Sequence, residues 1–210
     1  DRIDARLFLN GAWIGETVSK PARRVFQISV DGADAVDRAE LLKNGRVFKR
    51  FFPQQVEPNP RSHRYRLRLT WGWGRNTIPI EWDGEVGLSE GSIRKLETCF
   101  SGQAIVAPKG SQQSDAGEES HLLDTIDLPH EVTEQSDNSF VFRSVTQGNR
   151  TMRHETTQAI SLDVDAPLAA VLTVTVNGQQ YRHSLAELLR RGRSHFLRGW
   201  LSEAVRIGPL

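Results

Sequence analysis

The chain has 210 residues, 25% of them charged and 38% hydrophobic, with 27 Lys and Arg against 26 Asp and Glu. That composition excludes a disordered polymer, and a formal net charge of +1 with both signs interspersed gives no electrostatic footprint for nucleic acid. No apolar run approaches the roughly 18 residues of a membrane span, and the single cysteine, Cys99, allows no internal disulfide and leaves the compartment undetermined.

Ile3, Ala5, Leu7 and Leu9 alternate and run into Asn10-Gly11, a pair that accepts the positive φ angles of a two-residue hairpin turn. A short return strand, Ala12 to Ile14, ends at Gly15. Phe26, Ile28 and Val30 alternate again and stop at Asp31-Gly32. A second hairpin runs from Val36 to Lys43, turns at Asn44-Gly45 and returns from Arg46 to Phe52. Pro53, Pro58 and Pro60 then restrict the backbone, so residues 53–60 read as a connection. They divide a smaller N-terminal β unit, residues 1–56, from a larger one, residues 61–210. The chain opens directly in strand-like sequence without an initiator Met or a visible signal peptide, and it reads as a piece of a longer polypeptide.

The stretch from Tyr65 to Leu88 holds three of the five Trp residues. Tyr65, Leu67, Leu69 and Trp71 fall on one side, and Arg66, Arg68 and Thr70 on the other, as period-two alternation on a strand requires. Gly72 and Gly74 interleave with Trp71 and Trp73, which predicts a bulge or tight bend. The chain returns through Ile78, Ile80 and Trp82 and is expected to turn again at Asp83-Gly84. Ser92 to Phe100 fits a helical face and a strand alike, and the β punctuation around it favours strand. Residues 107–120 lack apolar periodicity and predict a flexible loop. Strand patterns resume at Ser139 to Thr146 and Ala159 to Val164, followed by a hairpin at Asn177-Gly178. One helix is marked: Ser184 can cap it, Glu187 sits at capping-box distance, Gly192 can stop it, and Leu185, Leu188 and Leu189 form its apolar face. These patterns predict an all-β fold, a β-sandwich of two packed β units with one short helix near the C-terminus.

Candidate chemistry is sparse. Gly87-Leu88-Ser89-Glu90-Gly91 matches the G-x-S-x-G of serine hydrolases, but the strand-to-long-helix context of that motif is missing, and a Gly-flanked β-turn is the plainer interpretation. The six His residues form no H-x-H or H-E-x-x-H, so they read as scattered surface groups rather than a metal site. Asp163 and Asp165 fall on one strand face, where two carboxylates bind calcium, serve as an acid/base pair, or simply face solvent. Cys99 reads as a small buried residue. Trp71, Trp73 and Trp82, with Arg75, are the candidate ligand-binding set: flat rings on a sheet stack on sugars or small molecules while an arginine supplies hydrogen bonds. Core packing competes and is favoured, because the alternation puts Trp71 on the apolar row with Leu67 and Leu69. No catalytic residue, metal ligand set or cofactor is assigned within the chain.

The segments Arg2-Ile3-Asp4-Ala5-Arg6-Leu7-Phe8-Leu9-Asn10-Gly11-Ala12-Trp13-Ile14-Gly15-Glu16 and Val36-Asp37-Arg38-Ala39-Glu40-Leu41-Leu42-Lys43-Asn44-Gly45-Arg46-Val47 resemble the β-rich region that follows the catalytic domain in bacterial metallohydrolases of the polymerase-and-histidinol-phosphatase (PHP) type. The resemblance covers mainly the first third of the chain. It implies an accessory region whose partner is the N-terminal catalytic domain of the same polypeptide, with divalent metals held there and not here. The expected function is therefore non-catalytic: support of the catalytic domain, or presentation of substrate or a partner. A free-standing glycan- or ligand-binding module is the alternative from the Trp cluster, and a serine hydrolase using Ser89 is the remaining one.

Overall fold

The computed structural model describes residues 2–20, 22–33, 36, 38–53, 58, 62–74, 78–100, 130–147, 156–200 and 203–210. The loop expected at 107–120, together with Arg75, His121 and His154, lies outside them. The chain divides into two compact units, Asp1–Pro53 and Gln54–Leu210.

In the first unit, strands β1 (Ile3–Leu9) and β2 (Ala12–Trp13) form the expected hairpin. Asn10 and Gly11 take φ of 50° and 86°, the left-handed pair that a two-residue turn demands. Strand β3 (Phe26–Gly32) pairs along the whole of β1, from Ile3 opposite Gly32 to Leu9 opposite Phe26, giving the order β2-β1-β3. Asn10 also clamps the entry to β3: its amide donates to the Arg23 carbonyl at 3.0 Å and accepts the Val25 N–H at 2.8 Å. Strands β4 (Ala39–Lys43) and β5 (Arg46–Phe51) make a separate hairpin, turned at Asn44 and Gly45 with φ of 53° and 73°. It starts three residues later than the sequence suggested. A register shift between Leu41 and Leu42 interrupts the alternation, and Leu42, Phe48 and Phe51 are exposed.

The second unit is a β-sandwich. Its strands are β6 (Arg64–Gly74), β7 (Ile80–Leu88), β8 (Ser92–Cys99), β9 (Glu131–Gln135), β10 (Ser139–Thr146), β11 (Thr156–Asp165), β12 (Val171–Val176), β13 (Gln179–Ser184), β14 (Arg193–Phe196) and β15 (Glu203–Pro209). The helix α1 (Leu185–Arg191) lies between β13 and β14. One five-stranded sheet has the order β13-β12-β7-β10-β9, the other β14-β15-β6-β11-β8. Within the segment at 92–100, Ser92–Cys99 is a strand, as its surroundings suggest.

The inner faces follow from alternation. Trp82, Val86 and Leu88 of β7, Phe140 and Phe142 of β10, and Leu172, Val174 and Val176 of β12 face Leu67, Leu69 and Trp71 of β6, Ile160, Leu162 and Val164 of β11, and Val205 and Ile207 of β15. Fully burying one such side chain is worth about 1.5–3 kcal/mol. A polar layer crosses this core. Trp71 Nε1 donates to Ser144 Oγ on the opposite sheet at 2.8 Å, Trp82 Nε1 donates to Thr146 Oγ1 at 2.8 Å, and Gln158 Nε2 reaches the Val145 carbonyl at 3.0 Å. These bonds let the indoles bring their N–H groups inside without a desolvation penalty left uncompensated.

Two glycine expectations part ways. The bulge in the Trp-Gly-Trp-Gly stretch is present: Gly72 and Trp73 take φ of 109° and 60°, opposite a register shift at Thr156 and Thr157. Asp83-Gly84, by contrast, is not a turn but the middle of β7. Gly84 lies directly opposite Phe142, whose ring occupies the space that a side chain would fill, 2.1 Å from an ideal Cβ. The glycine is there for the ring, not for a bend.

Candidate functional site

A polar cluster of the sandwich sits where its two sheets end on the same side. Strand β13 is the edge of one sheet and β14 the edge of the other, with α1 carrying the chain across between them. Ser184 caps α1, accepting the Glu187 N–H at 3.3 Å, and Gly192 ends it at φ 64°. Leu185, Leu188 and Leu189 bury the helix against the core. The register then aims four side chains inward. Tyr181 and His183 lie opposite the buried Val174 and Leu172, and Arg193 and His195 opposite the buried Ile207 and Val205. Cross-strand partners share a face.

These side chains meet. His183 Nε2 lies 3.0 Å from His195 Nε2, and His183 Nδ1 lies 3.1 Å from Glu187 Oε2. Arg193 forms an ion pair with the other oxygen of Glu187. The His195 ring is stacked between its neighbours, 4.2 Å from Tyr181 and 4.9 Å from His183 between ring centres. The Tyr181 hydroxyl donates to the Phe196 carbonyl at 3.0 Å, and burial pushes its phenol pKa up. Burial also works to raise the Glu187 carboxyl, but hydrogen bonds from His183 and Arg193 outweigh it and hold the group below the usual glutamate range. An ionised carboxylate accepts and cannot donate, so Nδ1 of His183 carries a proton. In the neutral ring, His183 Nε2 is then a bare lone pair directed at His195, which donates its Nε2–H. The seam can thus hold one proton between two imidazoles, or present two imidazole nitrogens to a cation.

The residues singled out from sequence are placed as follows. Trp71 and Trp82 are 0% and 1% exposed and pack within the core cluster, and Trp73 is 8% exposed, so the three rings do not form a solvent-facing platform. Trp71 lies 4.5 Å from Phe142, and Trp82 5.2 Å from Trp200, between ring centres. The physical reason is the apolar row that carries Trp71 inside together with Leu67 and Leu69. Ser89 sits in the turn between β7 and β8, and its Oγ accepts the Val171 N–H at 2.9 Å; the 220 Å³ depression around it is lined by Glu85, Thr173, Thr175 and Gln180 but by no His. Asp163 and Asp165 do share a face, where they meet arginines: Arg66 at 3.3 Å from Asp163, Arg94 at 3.3 Å and Arg64 at 3.8 Å from Asp165. Cys99 is half-buried, with Sγ 3.7 Å from Ser161 Oγ. His130 stacks on Phe100 and its pKa is lowered by burial.

The scattered histidines need correcting for one pair. His183 and His195 converge although they are 12 positions apart in the sequence, because a helix joins two sheet edges. The legible signal was local: His183 and Glu187 are four apart across a capped helix start, which places them side by side. His195 had no such marker. Comparison with family models, with curated proteins and with solved structures returns no match to this chain.

Proposed function

We propose that this chain is a non-catalytic accessory region of a larger metallohydrolase of the PHP type, and that its N-terminal unit docks on the catalytic domain of the same polypeptide. The family assignment rests on the likeness in residues 2–16 and 36–47. The docking role rests on one observation: among the described residues, the first unit has no buried apolar side chain, and its only buried residue is Arg50, 3% exposed. Ile3, Trp13, Ile14, Val25, Phe26, Leu42, Phe48 and Phe51 are all exposed there. A 680 Å³ cleft between the β1-β3 sheet and the β4-β5 hairpin is lined by Leu7, Ile28, Val30 and Leu41 among others. A small unit with so little interior gains stability by having that surface covered. Glu40 lines the cleft and pairs with the buried Arg50 at 3.2 Å, a polar group at the margin of an apolar surface, as interfaces have.

The test is hydrogen exchange of the full polypeptide against the 210-residue chain. Amides of Ile3–Leu9, Phe26–Gly32 and Ala39–Lys43 are expected to exchange at least about tenfold more slowly in the full polypeptide, the effect of about 1.4 kcal/mol of cover. Equal rates would remove the docking role. An upstream coding sequence without His- and Asp-rich metal motifs would remove the family assignment.

A further inference from the structure

The geometry points to a divalent transition-metal site at His183 and His195, with Cu²⁺ the preferred ion. It does not depend on the accessory role proposed above. The two Nε2 atoms face each other at 3.0 Å. With metal–nitrogen bonds of about 2.0–2.1 Å, that separation subtends an angle of about 94° at a shared ion. This is the cis angle of a square-planar or tetragonal centre, the arrangement that Cu²⁺ favours among nitrogen and oxygen donors. A tetrahedral Zn²⁺ would want the nitrogens roughly 3.4 Å apart, so it binds only after the edge strands open slightly.

The support around the pair has the form of a metal site. Imidazole ligands usually pass their other N–H to a carboxylate, which fixes the ring and raises its basicity. His183 does this with Glu187 at 3.1 Å, and Arg193 anchors that carboxylate in turn. His195 is held by stacking against Tyr181. Both ligands are on strands of the scaffold, not on loops, which preserves their spacing. Binding releases the Nε2–H proton of His195 to water and leaves both Nε2 lone pairs to the ion. The His183 side chain retains 15% exposure, so the seam is not sealed from solvent. No group of three or more His, Cys, Asp or Glu converges among the described residues, so the affinity is that of a two-imidazole site and below that of a structural zinc centre.

Titration of the 210-residue chain with Cu²⁺, followed by electron paramagnetic resonance and by amide NMR, tests this. One equivalent is expected to give a tetragonal spectrum coupled to two imidazoles, and to broaden residues 181–184 and 193–196 first. His183→Gln and His195→Gln should each weaken binding more than about tenfold, and Glu187→Gln by about 10-fold or more, the usual cost of losing a ligand's carboxylate partner. His63→Gln, at an exposed histidine outside the seam, should leave binding unchanged. The NMR pattern of the unaltered chain locates the ion even where a variant fails to fold. Absence of binding, broadening centred elsewhere, or undiminished affinity in folded His183→Gln and His195→Gln would overturn the assignment.

Discussion

Single residues in this protein do more than their type suggests, and the glycines of β7 separate the cases cleanly. Gly84 points inward under the Phe142 ring, where an added Cβ would come within 2.1 Å of ring carbons. Gly87, three residues along the same strand, points the other way and would meet nothing within 4 Å. A core forced to accommodate an extra methyl loses typically about 1–3 kcal/mol. Gly84→Ala is therefore expected to destabilise the sandwich by about that amount, while Gly87→Ala stays within about 0.5 kcal/mol of the parent. Urea unfolding followed by Trp fluorescence compares the two, and matching midpoints would mean that Phe142 can move aside freely.

At the scale of elements, two of the Asn-Gly hairpins have a second task that their turn chemistry does not announce. Asn177 takes φ of 46° in the β12-β13 turn, and its side chain then reaches across to β7. It accepts the Asp83 N–H at 2.9 Å and donates to the Glu81 carbonyl at 3.1 Å. Asn10 does the same for β3 in the first unit. Each such hydrogen bond contributes about 0.5–1.5 kcal/mol net. Asn177→Gly keeps the left-handed backbone available but removes both bonds, so it isolates the clamp from the turn. We expect a loss of about 1–3 kcal/mol in urea unfolding, together with faster exchange of the amides of β13. A midpoint equal to that of the parent would show that the turn alone holds the hairpin in place.

For the whole molecule, the charges are balanced overall but matter locally at the seam. Glu187 titrates below the usual glutamate range in the folded protein, because hydrogen bonds from His183 and Arg193 outweigh its burial. A carboxyl whose folded pKa is depressed contributes stability that is present above the unfolded value and is lost as pH falls through the folded one. Acidification below about pH 5 should therefore weaken the β13-α1-β14 side of the sandwich progressively. Glu187→Gln should be less stable than the parent at pH 7, and the gap should close as pH falls through the depressed pKa of Glu187. Thermal unfolding across that range measures it, and a pH-independent gap would assign the role of Glu187 to packing.

The sequence by itself determined the local grammar. Alternation in β6, the three Asn-Gly turns, the bulge at Gly72 and Trp73, and the cap from Ser184 to Gly192 each depend on a few neighbouring residues, and each is visible at that range. The all-β sandwich follows from their sum. What the tertiary structure decided was everything carried by distant partners. Asp83-Gly84 looked like a turn because no local pattern reveals that Phe142, 58 positions later, covers the glycine. The Trp rings were legible as core through the apolar row, but their cross-sheet bond to Ser144 was not. The His183-His195 pair exists only because two sheet edges end on one side and a seven-residue helix spans them, a relation of register and topology that no spacing along the chain encodes.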